Sequence, residues 1–204
     1  MKDLLDELAA TTREVGRRGG GADEMIVVRL QRRYTAEVDD VWDAITDPAR
    51  LARWFAPVSG DLEPGGTFQV EGNAGGEIRE CRPPSTLVVT WGAPESVVRV
   101  RLSGASDVTE LELEHTVPTA LAGSGAGALY VGPGWDVALL GLGGWLSGRL
   151  VDPPEVWEAS PEVRGANLRS IDAWVAAVEA SGTADAGEVA GAAAAAHAQF
   201  APTE

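Results

Sequence analysis

Few side chains in this sequence are equipped for chemistry, and their spacing narrows the choice further. The histidines, His115 and His197, stand 82 positions apart (197 − 115), the second in an alanine-rich run. Cys81 is the single cysteine and has no CxxC partner, so no metal centre is expected. Neither a GxxxxGK[ST] loop nor a GxSxG elbow occurs, and "GGWLSGRL" follows no strand. Phosphate cradling and an activated serine are therefore not expected, and neither is a cofactor.

His115 lies in "DVTELELEHTV". Strand alternation puts Leu111, Leu113 and His115 on one face and Glu110, Glu112 and Glu114 on the other, one buried and one wet. An inward imidazole suits a ligand hydrogen bond or general-base work. It equally suits a core histidine bonded to a neighbouring strand or helix. Glu80 in "GEIREC" alternates with Ile78 and is expected inside too, where a carboxylate needs a partner or a raised pKa. Arg79 or Arg99, on the outer face, would pair with exposed glutamates. An enzyme would need a second convergent polar pair, whereas the inward positions are mostly Leu, Val, Trp and Phe.

Whatever holds these residues must be a sheet with helices beside it. The 204 residues suffice for one domain with a sizeable core and extensions. The formal charge is −15 and the pI near 4.5, which argues against nucleic acid or anionic lipid as a partner. A lone cysteine fits a reducing compartment. "MKDLLDELAATTREVGRRGGG" lacks the apolar core of a signal peptide. The most apolar run, Val137 to Val151, holds four glycines and an arginine and is shorter than the ~20 residues of a membrane span. A cytoplasmic location is expected.

Residues 1–24 read as a helix and a flexible linker at "GRRGGG". "MIVVRLQRRY" is a strand, with Ile26, Val28 and Leu30 on one side. "TAEVDDVWDAIT" is a short helix with Val38, Val41, Trp42 and Ile45 on one stripe. Asp47 and Pro48 then cap and open a second helix, "DPARLARWF". Antiparallel strands follow in "GDLEPGGTFQVEG", "GEIREC", "STLVVTWG", "SVVRVRLSG" and "DVTELELEHTV". "GPGWDVALLGLGGWLSG" is an apolar helix interrupted by Gly141, Gly143 and Gly144. These glycines either admit close backbone approach, leave room for a ligand, or mark a kink. "SPEVRGANLRSIDAWVAAVEASG" is a longer helix, capped by Ser160 and Pro161, with Val163, Leu168, Ile171, Trp174, Val175 and Val178 toward the core. Residues 183–204 form an alanine-rich tail with helix propensity but little to pack, so order there needs docking onto the domain or another subunit, with Phe200 as the contact; its removal should leave the fold intact.

The words "VWDAITDPARLARWFAP", "LEPGGTFQVEG", "GEIRECRPPSTLVVTW" and "TELELEHTV" together resemble the SRPBCC (START/Bet v 1-like) superfamily. Within it they resemble the branch named for the activator of the ninety-kilodalton heat-shock chaperone's ATPase. The resemblance covers Met25 to Gly148. It implies an α+β helix-grip fold, a curved antiparallel sheet wrapped around a long C-terminal helix with a hydrophobic cavity between them. Here an extra C-terminal helix follows, and the fold domain spans 25–182. The eukaryotic activators carry an N-terminal domain for which 24 residues are too few. Leu150 to Gly182 resembles an extension of some bacterial members.

On that frame Trp42 is core, and Trp54 and Phe55 share core with cavity entrance. Leu87, Val89 and Trp91 face the interior on one strand, with Phe68, Val70 and Val100 beside them. Trp135 and Trp145, ten positions apart, lie on different faces of their helix, and Trp135 is the one expected at the cavity. Three functions follow. The first is binding a hydrophobic or amphipathic small molecule in the cavity. The second is a module that modulates a chaperone or another protein through the exposed sheet face and its acidic rows; a homodimer is a separate partner expectation. The third is a cyclase/dehydratase-type enzyme using His115 and Glu80.

Overall fold

The computed structural model describes residues 4–202, so residues 1–3 and 203–204, the outer ends of the two end segments, lie outside the described residues. Among the described residues, eight strands make one curved antiparallel sheet. They are β1 (Thr12–Arg18), β2 (Met25–Tyr34), β3 (Val58–Gly60), β4 (Thr67–Val70), β5 (Gly75–Arg82), β6 (Thr86–Trp91), β7 (Ala93–Ala105) and β8 (Val108–Pro118). Their order is β1-β2-β8-β7-β6-β5-β4-β3. The helices are α1 (Leu4–Ala9), α2 (Val38–Thr46), α3 (Pro48–Trp54), α4 (Thr119–Ala122), α5 (Gly132–Leu146), α6 (Pro154–Glu158), α7 (Pro161–Ser181) and α8 (Ala186–Phe200). The chain forms two compact units, one from Met1–Leu30, Thr116–Leu140 and Glu158–Glu204, the other from Gln31–His115 and Gly141–Trp157.

In the second unit α2 buries Val41, Trp42 and Ala44. It stops at Asp47, whose carboxylate accepts from the Ala49 amide at 2.7 Å and starts α3. The strands pair in sequence order from β3 to β7, with Val58 opposite Val70, Ile78 opposite Val89, and Leu87 opposite Val100. One irregularity matters. Between Ile78 and Glu80 the β5 register slips by one residue against β6, so that Glu80 faces Val88 and Cys81 faces Leu87. This β-bulge at Arg79 reverses the alternation. Cys81, not Glu80, shares a face with Ile78.

The outer side of β8 is less wet than alternation suggests. Glu114 is buried, its carboxylate 3.9 Å from Arg99. Glu112 accepts from Gln31 and Arg101, and Glu110 from Arg33. These acids are answered by cations and an amide of neighbouring strands.

The first unit corrects the reading of both chain ends. Residues 12–18, given to a helix and linker, are strand β1 instead. Arg13 anchors it: the guanidinium donates to both Asp136 oxygens at 2.8–3.1 Å and to the carbonyls of Leu8 and Thr11. Asp136, on α5, also accepts from Ser170 Oγ at 2.5 Å and from Trp174 Nε1 at 2.9 Å. A buried carboxylate is costly unless its lone pairs are met, and here four donor atoms of three side chains meet them. Trp174 lies directly against Gly132, where no Cβ fits.

The alanine-rich tail is likewise ordered. Asp185 and Glu188 form a capping box, and Val189, Ala192 and Ala196 are buried as α8 packs on α7. Small side chains allow close helix contact, which propensity arguments on an isolated tail overlook. Asn167 donates to the Phe200 carbonyl at 2.8 Å and Arg164 to that of Pro202. On α7 the buried stripe is Val163, Ala166, Asn167, Ser170, Ile171, Trp174 and Val178. Leu168, expected inside, is 42% exposed. It stands about 100° round the helix from Asn167, off the face that Val163, Ile171 and Trp174 bury.

Candidate functional site

Within the second unit lies a cavity of about 150 Å³. Its walls follow from local rules already described. The α2–α3 corner supplies Ile45, Thr46, Leu51 and Phe55, and the β3 edge Val58 and Leu62. Alternation on β4 and β6 brings in Phe68 and Val70, then Leu87, Val89 and Trp91. From β5 come Ile78 and, through the bulge, Cys81.

Nearly everything in this wall is apolar. The Thr46 hydroxyl donates its proton to the Trp42 carbonyl at 2.8 Å. Burial pushes the Cys81 thiol above its ordinary pKa, leaving it neutral near pH 7. Phe68 and Trp91 meet at a 37° tilt with centroids 5.9 Å apart, forming an aromatic side to the space. Leu62 is 38% exposed, so the cavity reaches solvent along the β3–β4 connection. What such a space does chemically is desolvate an apolar guest; no lining side chain carries a charge at neutral pH.

The adjacent aromatics of "RWF" have separate duties. Trp54 is buried, donates through Nε1 to the Ala44 carbonyl at 2.9 Å, and locks α3 to α2. Phe55, its ring 5.5 Å from that of Trp54, lines the cavity. The cavity was expected between the sheet and the C-terminal helix, but its walls come from Ile45 to Trp91 and the C-terminal part of α5 contributes nothing to them. At Gly141 a Cβ would come within 3.3 Å of both the Trp54 carbonyl oxygen and the Trp157 ring. The glycine thus serves close approach and leaves no room for a ligand there.

Of the other residues considered from sequence, none lines the cavity. Leu111 and Leu113 are buried core, and Val100 lies across from Leu87 on β7. Glu80 is at the surface side of the bulge, 3.0 Å from Arg82. Trp135 belongs to the first unit. His115 is 1% exposed, its Nε2 2.8 Å from Ser96 Oγ, and burial lowers its pKa to about 4. It is neutral at pH 7 and hydrogen-bonded inside the protein. Sequence reasoning did not assign Ile45, Thr46, Leu51, Val58, Leu62, Ile78 or Cys81 to the wall. Ile45 already stood on the apolar stripe of its helix and Ile78 on an inward face; Cys81 had no local signal, because a bulge leaves none. Among the described residues no group of His, Cys, Asp and Glu is placed to hold a metal ion.

An antiparallel sheet with long C-terminal helices and an apolar hollow defines the α+β helix-grip class. More narrowly, the chain belongs to the family of Activator of Hsp90 ATPase homolog 1-like proteins, whose sequence model matches residues 35–146. It is similar to CalU16 from Micromonospora echinospora: 39% identity, 83% of this chain and 99% of that chain covered, and a TM-score of 0.67 against the crystal structure. Against the solution structure of CalU16 the TM-score is 0.68, with 84% and 96% covered. A protein of unknown function from Enterococcus faecalis, EF2215, is 15% identical with a TM-score of 0.59 over 85% of this chain and 95% of its own, which shows a shared fold. No curated protein matches the chain. Among the described residues, no helix is long and apolar enough to cross a membrane.

Proposed function

We propose that this protein binds a hydrophobic small molecule in the cavity between the α2–α3 corner and strands β3–β6. The observation that carries the reading is the wall itself: apolar side chains on every element, an aromatic pair, and no charged group. Burial of apolar surface is then the source of affinity, at roughly 25 cal/mol per Å². A cavity lined this way serves a carrier or a sensor of an apolar compound, and gives an acid–base enzyme nothing to work with. His115 and Glu80, the pair a cyclase-type activity would have used, are committed to Ser96 and Arg82. The acidic row of β8, which a docking module would have presented, is engaged by arginines of the same sheet.

The test is a titration of the purified protein with uncharged apolar compounds of graded size, followed through the methyl resonances of Ile78, Leu87 and Val89. Saturable shifts centred on those methyls, lost in Leu87→Trp, are expected. Absence of any such shift across the series, together with no small molecule retained in native mass spectra, would overturn the proposal.

A further inference from the structure

Resting on that reading, we infer that the ligand inserts an uncharged group the size of a single ring into the cavity, with any larger or charged remainder held outside past Leu62.

The size follows from the volume. Sites that swallow a whole drug-sized molecule measure roughly 300–1,000 Å³. A dry apolar cavity of about 150 Å³ takes a guest of the size of benzene, and this cavity has that volume. Phe68 and Trp91, set at 37° to each other, offer ring faces and edges against which a flat guest packs. The mouth is identified by Leu62, which both lines the cavity and stands 38% exposed.

The charge follows from the wall. An ion entering it would lose its hydration and meet no counter-charge, because the lining holds no Lys, Arg, His, Asp or Glu. Anions face a second obstacle in the −15 charge of the whole chain. An ether on the ring finds no free hydroxyl proton in the wall, since that of Thr46 is given to the Trp42 carbonyl, whereas a ring hydroxyl placed beside Thr46 could donate to its oxygen.

Cys81 makes the inference measurable. It is the single cysteine of the chain and part of the wall, so a guest in the cavity shields it. The experiment follows the rate at which iodoacetamide alkylates Cys81, by intact mass, with the Ile78, Leu87 and Val89 methyl shifts recorded in parallel. Toluene, 9-phenanthrol and benzoate are the probes. Toluene is expected to slow alkylation roughly tenfold at about ten times its Kd and to move the three methyls; 9-phenanthrol and benzoate are expected to do neither. Protection by 9-phenanthrol equal to that by toluene would overturn the size limit. Protection by benzoate equal to that by toluene would overturn the exclusion of charge. In both cases the cavity would still be a binding site. Shifts with none of these and none of the graded compounds would instead bring down the binding reading itself, taking this inference with it.

Discussion

Two regions of this molecule handle buried space in opposite ways. Around Asp136 every lone pair of a fully buried carboxylate is taken up, by Arg13, Ser170 and Trp174. Between the α2–α3 corner and strands β3–β6, about 150 Å³ is walled by side chains that ask nothing of one another beyond contact. The polar cluster specifies one arrangement, because each partner lost leaves another group unsatisfied. The hollow specifies a shape and a polarity, and under the proposed function it takes an apolar guest. Mutations should therefore act on stability in the first region and on binding in the second.

The largest effect is expected at Asp136. Asp136→Ala leaves the Arg13 guanidinium, 9% exposed, without its counter-charge, and should cost about 3–5 kcal/mol in urea unfolding. A loss below about 1 kcal/mol would mean that the cluster relaxes to water, and the contrast with the cavity would collapse.

Next comes the buried imidazole. In the unfolded chain His115 protonates near its ordinary pKa of 6.5, whereas in the folded protein burial holds it neutral down to about pH 4. Between those values the unfolded state binds the additional proton, so stability is complete above about pH 6.5 and falls as pH drops toward 4. The loss amounts to about 3 kcal/mol. Melting temperature against pH checks this, and His115→Gln should flatten the slope across the window. Removing its partner with Ser96→Ala should cost about 1–3 kcal/mol at pH 7 with ligand affinity unchanged.

Deleting residues 183–204 is expected to lower stability by about 2 kcal/mol, from the lost burial of Val189, Ala192 and Ala196. A thermal melt indistinguishable from that of the full chain would restore the view of this segment as a dispensable tail.

The smallest stability effect belongs to the hollow. Leu87→Phe adds volume where there is space, so it should change stability by less than about 1 kcal/mol, unlike the 1–3 kcal/mol typical of overpacking a filled core. The same change should weaken binding of toluene severely. A large destabilisation would show that the walls are as tightly set as the Asp136 cluster.

The elements of the sheet and the α2–α3 corner were legible along the chain, since their signals are local. Asp47-Pro48 announces a helix start, "TELELEHT" a two-sided strand, and Leu87, Val89 and Trp91 an apolar face. These depend on caps and periodicities within a few residues of each position. The N-terminal strand was hidden because its anchor, Asp136, lies 123 positions from Arg13. The packing of helix α8, though not its helix propensity, was hidden because alanines carry no hydrophobic signal until another helix comes close to them.

The candidate site divides along the same line. Sequence alone determined that the second unit would turn Phe68, Val70, Leu87, Val89 and Trp91 to one side, since alternation is a property of an extended backbone. Only the tertiary structure decided that a bulge at Arg79 would put Cys81 in the wall and leave Glu80 at the surface with Arg82. It also decided which of two neighbouring aromatics, Trp54 or Phe55, would be spent on packing and which would face open space. Register slips and vacancies arise from the fit between segments far apart in the chain, and no window of residues contains that fit.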